Sequence, residues 1–354
     1  LFPYIEPPLM HKTLSSTPNS SANLMTTLTT CSLNTGISQK DRDFCKAMLN
    51  SCAHDSSGNC LWSQETSSWN TGIKCFVSSQ YNSSSPTLTW GSMLDSTVKS
   101  QYSTALSNHY RINGIYLDSL EAGAYYPDYR ASHIASVQSP PTFDSNNVPI
   151  VPIAASTQEW CRTLFASLRS KDQPTYIMAN GVLNWFWEFT KFVDLFGTET
   201  TWLKSSTGTF ALNSQLDMFK RRALAGAKPY LLLQNSDFTQ WTNDMTKQYM
   251  DWSLLFGLWP GFFSADASGS TYFSQPALYN RDRSLFKLYM PLFSQVTSAG
   301  WQPVHCILST LSTGTPASVL VERWGALSQT INTIYFTARA NTTATISLTV
   351  DLTC

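Results

Sequence analysis

Gly114-Ile115-Tyr116-Leu117-Asp118-Ser119-Leu120 carries the main architectural signal of this chain. Three apolar residues after the turn Ile112-Asn113-Gly114 and before a charge read as a short buried strand. Upstream, Val98, Tyr102, Leu106 and Tyr110 recur at helical spacing and predict a helix over 95–110. Downstream, Trp160, Leu164, Phe165 and Leu168 predict another over 157–169, with Ser156 as its N-cap. The alternation then continues. Strands are expected at 175–180, 192–199, 229–234 and 261–264, and helices at 182–189, 214–225, 243–255 and 282–297. Arg281-Asp282-Arg283 reads as an ion-pair cluster that opens the last helix and ties it to the strands beyond Gly300. Short, nearly continuous apolar strands between amphipathic helices predict parallel strands buried on both faces.

After Gly300 the pattern switches to strands without intervening helices, near 304–308, 318–324, 333–337 and 344–350. The expected organisation is an α/β domain over 1–299 and an antiparallel β-domain over 300–354. No Gly-rich phosphate loop or internal repeat is present, so a dinucleotide fingerprint is absent.

Composition narrows the classes. Of 354 residues, 42% are hydrophobic and 13% aromatic, enough for a large core. Only 13% are charged, and 23 basic residues balance 23 acidic ones. A neutral chain with no basic cluster beyond Lys220-Arg221-Arg222 is not expected to bind nucleic acid. No apolar run approaches the roughly 20 residues of a membrane span; the stretch 252–263 is short and broken by Pro260. Leu1-Phe-Pro-Tyr-Ile-Glu6 resembles the inside of a strand, and 345–354 a strand without a tail. The chain is therefore expected to be a processed or partial piece of a longer one.

Cys31, Cys45, Cys52, Cys60 and Cys75 fall in a polar insertion of about 15–80, read as a long loop that needs covalent staples. Their spacing lacks the paired Cys-x-x-Cys of a zinc site, and His54 is a poor fourth ligand, so no metal is expected. With Cys161, Cys306 and Cys354 they make eight, an even number expected to form disulfides whose pairing the spacing leaves open. Sequons at Asn19, Asn82 and Asn341 add to an expectation of a secreted, extracellular glycoprotein.

Barrels and doubly wound sheets both place ligands at the carboxyl ends of their strands. Here those ends are Asp118, Asn180, Glu199, Gln234 and, after Ser264, Asp266, with Trp202 and Trp259 among the indoles nearby. Carboxylates, amides and indoles around one opening suit a sugar, whose ring stacks on indole and whose hydroxyls bond to carboxylates and amides. Tyr116 and Glu121 flank Asp118 and join the expected binding residues.

Gly114-Ile-Tyr-Leu-Asp118-Ser-Leu is similar to the fourth strand of (β/α)8-barrel glycoside hydrolases, in which an Asp ending such a strand is the nucleophile. Asp194-Leu-Phe-Gly-Thr-Glu199 falls two strands later, where the alpha-galactosidase clan and the family-31 glucosidases place their acid/base. Those families usually carry Asp at that position. The resemblance covers about 95–354. It implies a (β/α)8 TIM-type barrel with a disulfide-rich insertion and a C-terminal antiparallel β-domain. It also implies Asp118 as nucleophile and Glu199 as acid/base of a retaining hydrolase that needs no cofactor; Glu121 is the rival acid. A non-catalytic reading competes: an extracellular glycoprotein that uses the barrel as a glycan-binding or assembly scaffold, with other chains as partners.

Overall fold

The computed structural model describes residues 4–13, 18–66, 71–78, 88–169, 175–182, 186–204, 207–264, 271–313, 319–326, 333–340 and 345–351. Asp266, Cys354, Asn82 and Asn341 lie outside these. The chain divides into two compact units, Leu1–Val182 with Lys191–Val193, and Leu183–Thr190 with Asp194–Cys354.

The first unit opens with β1 (Tyr4–Ile5) and β2 (Leu9–Lys12), followed by helices α1 (Ser21–Leu33) and α2 (Gln39–Ser51). Strands β3 (Trp62–Thr66) and β4 (Thr71–Phe76) complete an antiparallel sheet in the order β2-β4-β3. The insertion is thus not the long loop expected. Ser20 and Ser38 cap two helices, and Leu24, Leu28, Cys45 and Met48 bury their inner faces. Counting cysteines only as staples hid that period, because a buried cysteine packs as a small hydrophobe.

Disulfides join Cys31 to Cys45 and Cys52 to Cys60, and Cys306 is also disulfide-bonded. Cys75 and Cys161 correct the expectation of eight bridged cysteines, since both are free and buried. Cys161 points into the core from a helix, and Cys75 packs beside the Cys52–Cys60 bridge. Burial pushes the Cys75 thiol up to about 12 and raises that of Cys161 as well.

Next come α3 (Trp90–Ser107), held by a capping box between Thr89 and Ser92, and β5 (Gly114–Leu117). An excursion leads through β6 (Pro127–Asp128), α4 (Ala131–Ile134), β7 (Thr142–Phe143) and β8 (Pro149–Pro152). Buried Asp128 anchors it, accepting hydrogen bonds from the backbone of His54 and Arg130 and pairing with the His133 ring. Helix α5 (Ile153–Arg169) buries Trp160, Leu164, Phe165 and Leu168 as expected. It begins three residues before Ser156, whose hydroxyl donates to Ile153 O inside the helix instead of capping it. β9 (Tyr176–Ala179) ends the unit's parallel strands, which lie in the order β1-β5-β9.

The second unit repeats the alternation: β10 (Leu195–Thr200), the hairpin β11 (Leu203–Lys204) and β12 (Thr209–Phe210), α6 (Gln215–Ala225), β13 (Tyr230–Gln234), α7 (Asn243–Leu255), β14 (Trp259–Phe262) and α8 (Pro276–Ala299). Strands β10, β13 and β14 are parallel neighbours. Helix α8 starts six residues earlier than expected, with proline in its first turn, where the missing N–H has no partner to lose. Among the described residues, the contacts of the Arg281–Asp282 pair tie α8 to α7 and the residues around it, where a tie to the strands beyond Gly300 was expected. Asp282 accepts from Asn243, Thr246 and Tyr272, and Arg281 donates to Trp241 O.

Five further strands complete the unit: β15 (Trp301–Gln302), β16 (Ile307–Thr313), β17 (Val319–Trp324), β18 (Tyr335–Ala340) and β19 (Thr345–Val350). They form the antiparallel sheets β15-β17-β18 and β16-β19, the switch of pattern expected after Gly300. The fold is mixed α/β, with parallel strands and separate antiparallel sheets.

Candidate active site

Asp118 stands immediately after β5, and the backbone ladder runs on around it. Its N–H donates to Ile5 O at 2.8 Å, and Asn180 N donates to Leu117 O at 2.7 Å. This pairing brings the residues that end β1, β5 and β9 together. Asn180 Nδ2 donates to Asp118 Oδ1 at 2.7 Å, and the Tyr116 hydroxyl lies 3.3 Å from the same oxygen. The Tyr4 hydroxyl lies 2.6 Å from Asp118 Oδ2. Ser119 sits at a φ of 57°, the left-handed region that non-glycine residues rarely occupy, so the chain turns sharply as it leaves the strand. Tyr116, Asn180 and Asp118, named from sequence as neighbours, are neighbours in space.

Sequence reasoning missed Glu6. It comes directly after β1 as Asp118 comes after β5, and the signal was the same: an apolar pair ending in a carboxylate. Tyr4 Oη lies 2.9 Å from Glu6 Oε1 as well as 2.6 Å from Asp118 Oδ2. Sharing one hydroxyl, the two carboxylate oxygens are at most about 5.5 Å apart. The Ser119 hydroxyl also reaches both, at 3.4 Å. Trp90 Nε1 donates to Glu6 O at 3.2 Å and holds that corner of the chain.

Behind Glu6 stands His11, on β2. Its Nε2 is 3.1 Å from Glu6 Oε2, and its Nδ1 is 2.6 Å from Glu65 Oε2 on β3. Lys74 Nζ, on β4, lies 3.9 Å from the other Glu65 oxygen. Burial favours neutral groups here, but the ion pairs outweigh it: His11 is raised above its ordinary value and Glu6 lowered below its own. Partial burial and the adjacent carboxylates push the Tyr4 phenol upward, although the residue is more than half exposed.

Glu121 is exposed beside β9, over Gly181. Gly181 has a φ of 75°, a conformation that favours glycine, and a Cβ there would meet the end of the Glu121 side chain, which would have to shift.

In the second unit, Glu199 is exposed on β10, and Asn235 Nδ2 donates to its Oε2 at 2.6 Å. Gln234 is fully buried and bonds to Ser236, a structural setting and not an exposed ligand contact. Trp202 is only 1% exposed, edge-on to Phe210 and Tyr249, and presents no face to a sugar. Trp259 pairs with Leu231 at the amino end of the strands, opposite Gln234, and stacks on Phe293. A further carboxyl escaped notice: Glu188, next to exposed Trp187, is raised by burial.

A cavity of about 780 Å³ in this unit is lined by α6 and the antiparallel strands and includes none of these residues. Its acid, Glu322, already faces Trp301 Nε1 and His305. Among the described residues, the cluster of potential metal ligands is Cys52, Cys60 and Cys75, two of which are joined in a disulfide.

The chain is therefore a mixed α/β protein with a hydrogen-bonded carboxylate cluster at the carboxyl ends of parallel strands. No family model matches it, and no curated protein does. Among solved structures it is similar to a variant of the glycoside hydrolase domain of PelA from Pseudomonas aeruginosa. Identity is 9%, with 75% of this chain and 78% of that one covered, and the TM-score is 0.36. A likeness this remote bears on neither activity nor residue roles.

Proposed function

We propose that this chain is a glycoside hydrolase in which Asp118 is the nucleophile. The observation that carries the reading is the carboxylate of Asp118 at a strand end, oriented by Tyr4, Tyr116 and Asn180. Asp118 Oδ attacks the anomeric carbon as the bond to the leaving oxygen breaks, and Glu199, assigned from the sequence pattern, protonates that oxygen. Water then attacks the same carbon, returns its proton to Glu199 and frees Asp118. Asn180 and Glu121 would bond sugar hydroxyls near the nucleophile.

The finer points belong to the same proposal. The parallel strands form a (β/α) barrel, although the six described are two fewer than eight. The barrel domain spans 1–299 and the β-domain 300–354. Disulfides and the exposed Asn19 sequon support a secreted glycoprotein, with carbohydrate as its partner. On this chain no helix among the described residues is long and apolar enough to cross a membrane. The test is a panel of activated aryl glycosides against wild type and Asp118→Asn, with the anomer of the product read by NMR. Turnover abolished by the substitution supports the proposal, and turnover indifferent to it removes Asp118 from the chemistry.

One observation favours the second reading, a non-catalytic glycan-binding scaffold. Both oxygens of Asp118 already accept hydrogen bonds within the protein, from Tyr4 on one side and from Asn180 and Tyr116 on the other. Glycan binding without turnover, preserved in Asp118→Asn, supports that alternative.

A further inference from the structure

The Tyr4 hydroxyl has one proton to donate and two carboxylates to receive it, Asp118 Oδ2 at 2.6 Å and Glu6 Oε1 at 2.9 Å. Which one receives it depends on the charge that each presents. Glu6 is mostly buried, and its second oxygen faces His11 Nε2 at 3.1 Å, while His11 Nδ1 faces Glu65 at 2.6 Å. Both ring nitrogens thus lie within ion-pair distance of carboxylate oxygens, with hydrogen-bond geometry on the Glu65 side. Only the imidazolium donates from both; a neutral ring turns a lone pair toward one of them.

We propose that His11 decides which carboxylate holds the Tyr4 proton, and so acts with Tyr4 as a positioning residue for Asp118. When His11 is charged, Glu6 is compensated from behind and the Tyr4 hydroxyl donates to Asp118. When His11 is neutral, Glu6 becomes a buried, uncompensated charge that draws the hydroxyl to itself. Asp118 then loses its closest donor and gains a bare negative neighbour. The groups facing His11 are consistent with this division: Glu6 on the β1 side, Glu65 on β3, and Lys74 on β4 behind Glu65. The raised His11 and lowered Glu6 agree with mutual attraction between the two groups. The catalytic part of this inference rests on the reading of Asp118 as nucleophile; the proton arrangement does not.

The experiment is a pH titration by NMR of protein labelled with carboxyl-¹³C aspartate and ring-¹³C histidine. Asp118→Asn and His11→Gln serve to assign the two resonances. The Asp118 carboxyl resonance is expected to shift with the midpoint of the His11 ring, and Tyr4→Phe is expected to abolish that shift while His11 still titrates. An Asp118 resonance blind to His11 in the wild type, or one that tracks it equally in Tyr4→Phe, overturns the inference. If a substrate is found, Tyr4→Phe should lower kcat about 10- to 100-fold, the value of one hydrogen bond to a charged group, with KM little changed. His11→Gln should remove the alkaline limb at the His11 midpoint. A kcat unchanged in Tyr4→Phe overturns the positioning role. Absence of turnover with any glycoside instead sinks the hydrolase reading, and the titration still decides the proton arrangement.

Discussion

Tyr4 Oη and Asp118 Oδ2 meet at 2.6 Å across 114 residues of chain. Strand pairing explains the meeting. β1 runs parallel to β5 with Tyr4 opposite Tyr116 and Ile5 opposite Leu117, and the two tyrosine rings stack at 5.6 Å. The register leaves Glu6 and Asp118 at neighbouring strand ends, so one hydroxyl spans both. That hydroxyl ties the two remote segments together at their carboxylates.

If Glu199 is the acid/base, Glu199→Gln will lower turnover of substrates with poor leaving groups about 10²- to 10⁴-fold, and azide will restore rate on activated ones. Steady-state kinetics on a series of aryl leaving groups makes the comparison. Equal loss for every leaving group would remove Glu199 from proton transfer.

The Glu6–His11 pair makes stability depend on pH in both directions. His11 is raised above 6.5 in the folded state, so its contribution is complete below 6.5 and lost as pH rises through the folded value. Glu6 is lowered below 4.5, so its contribution is present above 4.5 and lost as pH falls through its folded value. Urea unfolding of His11→Gln against wild type should show the largest deficit between these values, shrinking on either side.

Cys75 and Cys161 are expected to resist a thiol reagent in the native protein and to react once it is unfolded without reductant. Both are buried with thiols pushed upward. Replacing Cys31 and Cys45 together by Ser should lower stability by about 3 kcal/mol, as expected for a loop of about 15 residues; denaturant titration measures it.

Asp282 is a fully buried carboxylate with Arg281 and three neutral donors around it. Asp282→Ala removes the acceptor shared by Asn243, Thr246 and Tyr272, and is expected to destabilise the second unit by about 1–3 kcal/mol. Asp282→Asn, which retains an acceptor, should lose less in the same measurement.

The regular part of the chain was legible from its residues. Helix α7 begins and ends where its pattern placed it, at Asn243 and Leu255, and β5, β9, β10 and β13 lie within a few residues of their expected positions. Apolar spacing reports burial directly, and burial on one face or both is what distinguishes these elements. The same signal failed at α1 and α2, where cysteines and threonines break up the apolar count although Leu24, Leu28 and Met48 keep the period.

The carboxylate at the end of β5 could be named from local pattern because a charge after an apolar run must leave the core. Nothing local could say that Tyr4 and Glu6 would stand beside it, or that His11 and Glu65 would back Glu6. Those contacts depend on the register between β1 and β5 and on the pairing of β4 with both β2 and β3. Likewise Trp202 and Trp259 have the composition of sugar platforms, but strand phase and direction turn one into the core and set the other at the amino end. Periodicity along a chain constrains which residues are buried; which buried and half-buried groups meet is a property of pairing between distant segments, and pairing exists only once the chain has folded.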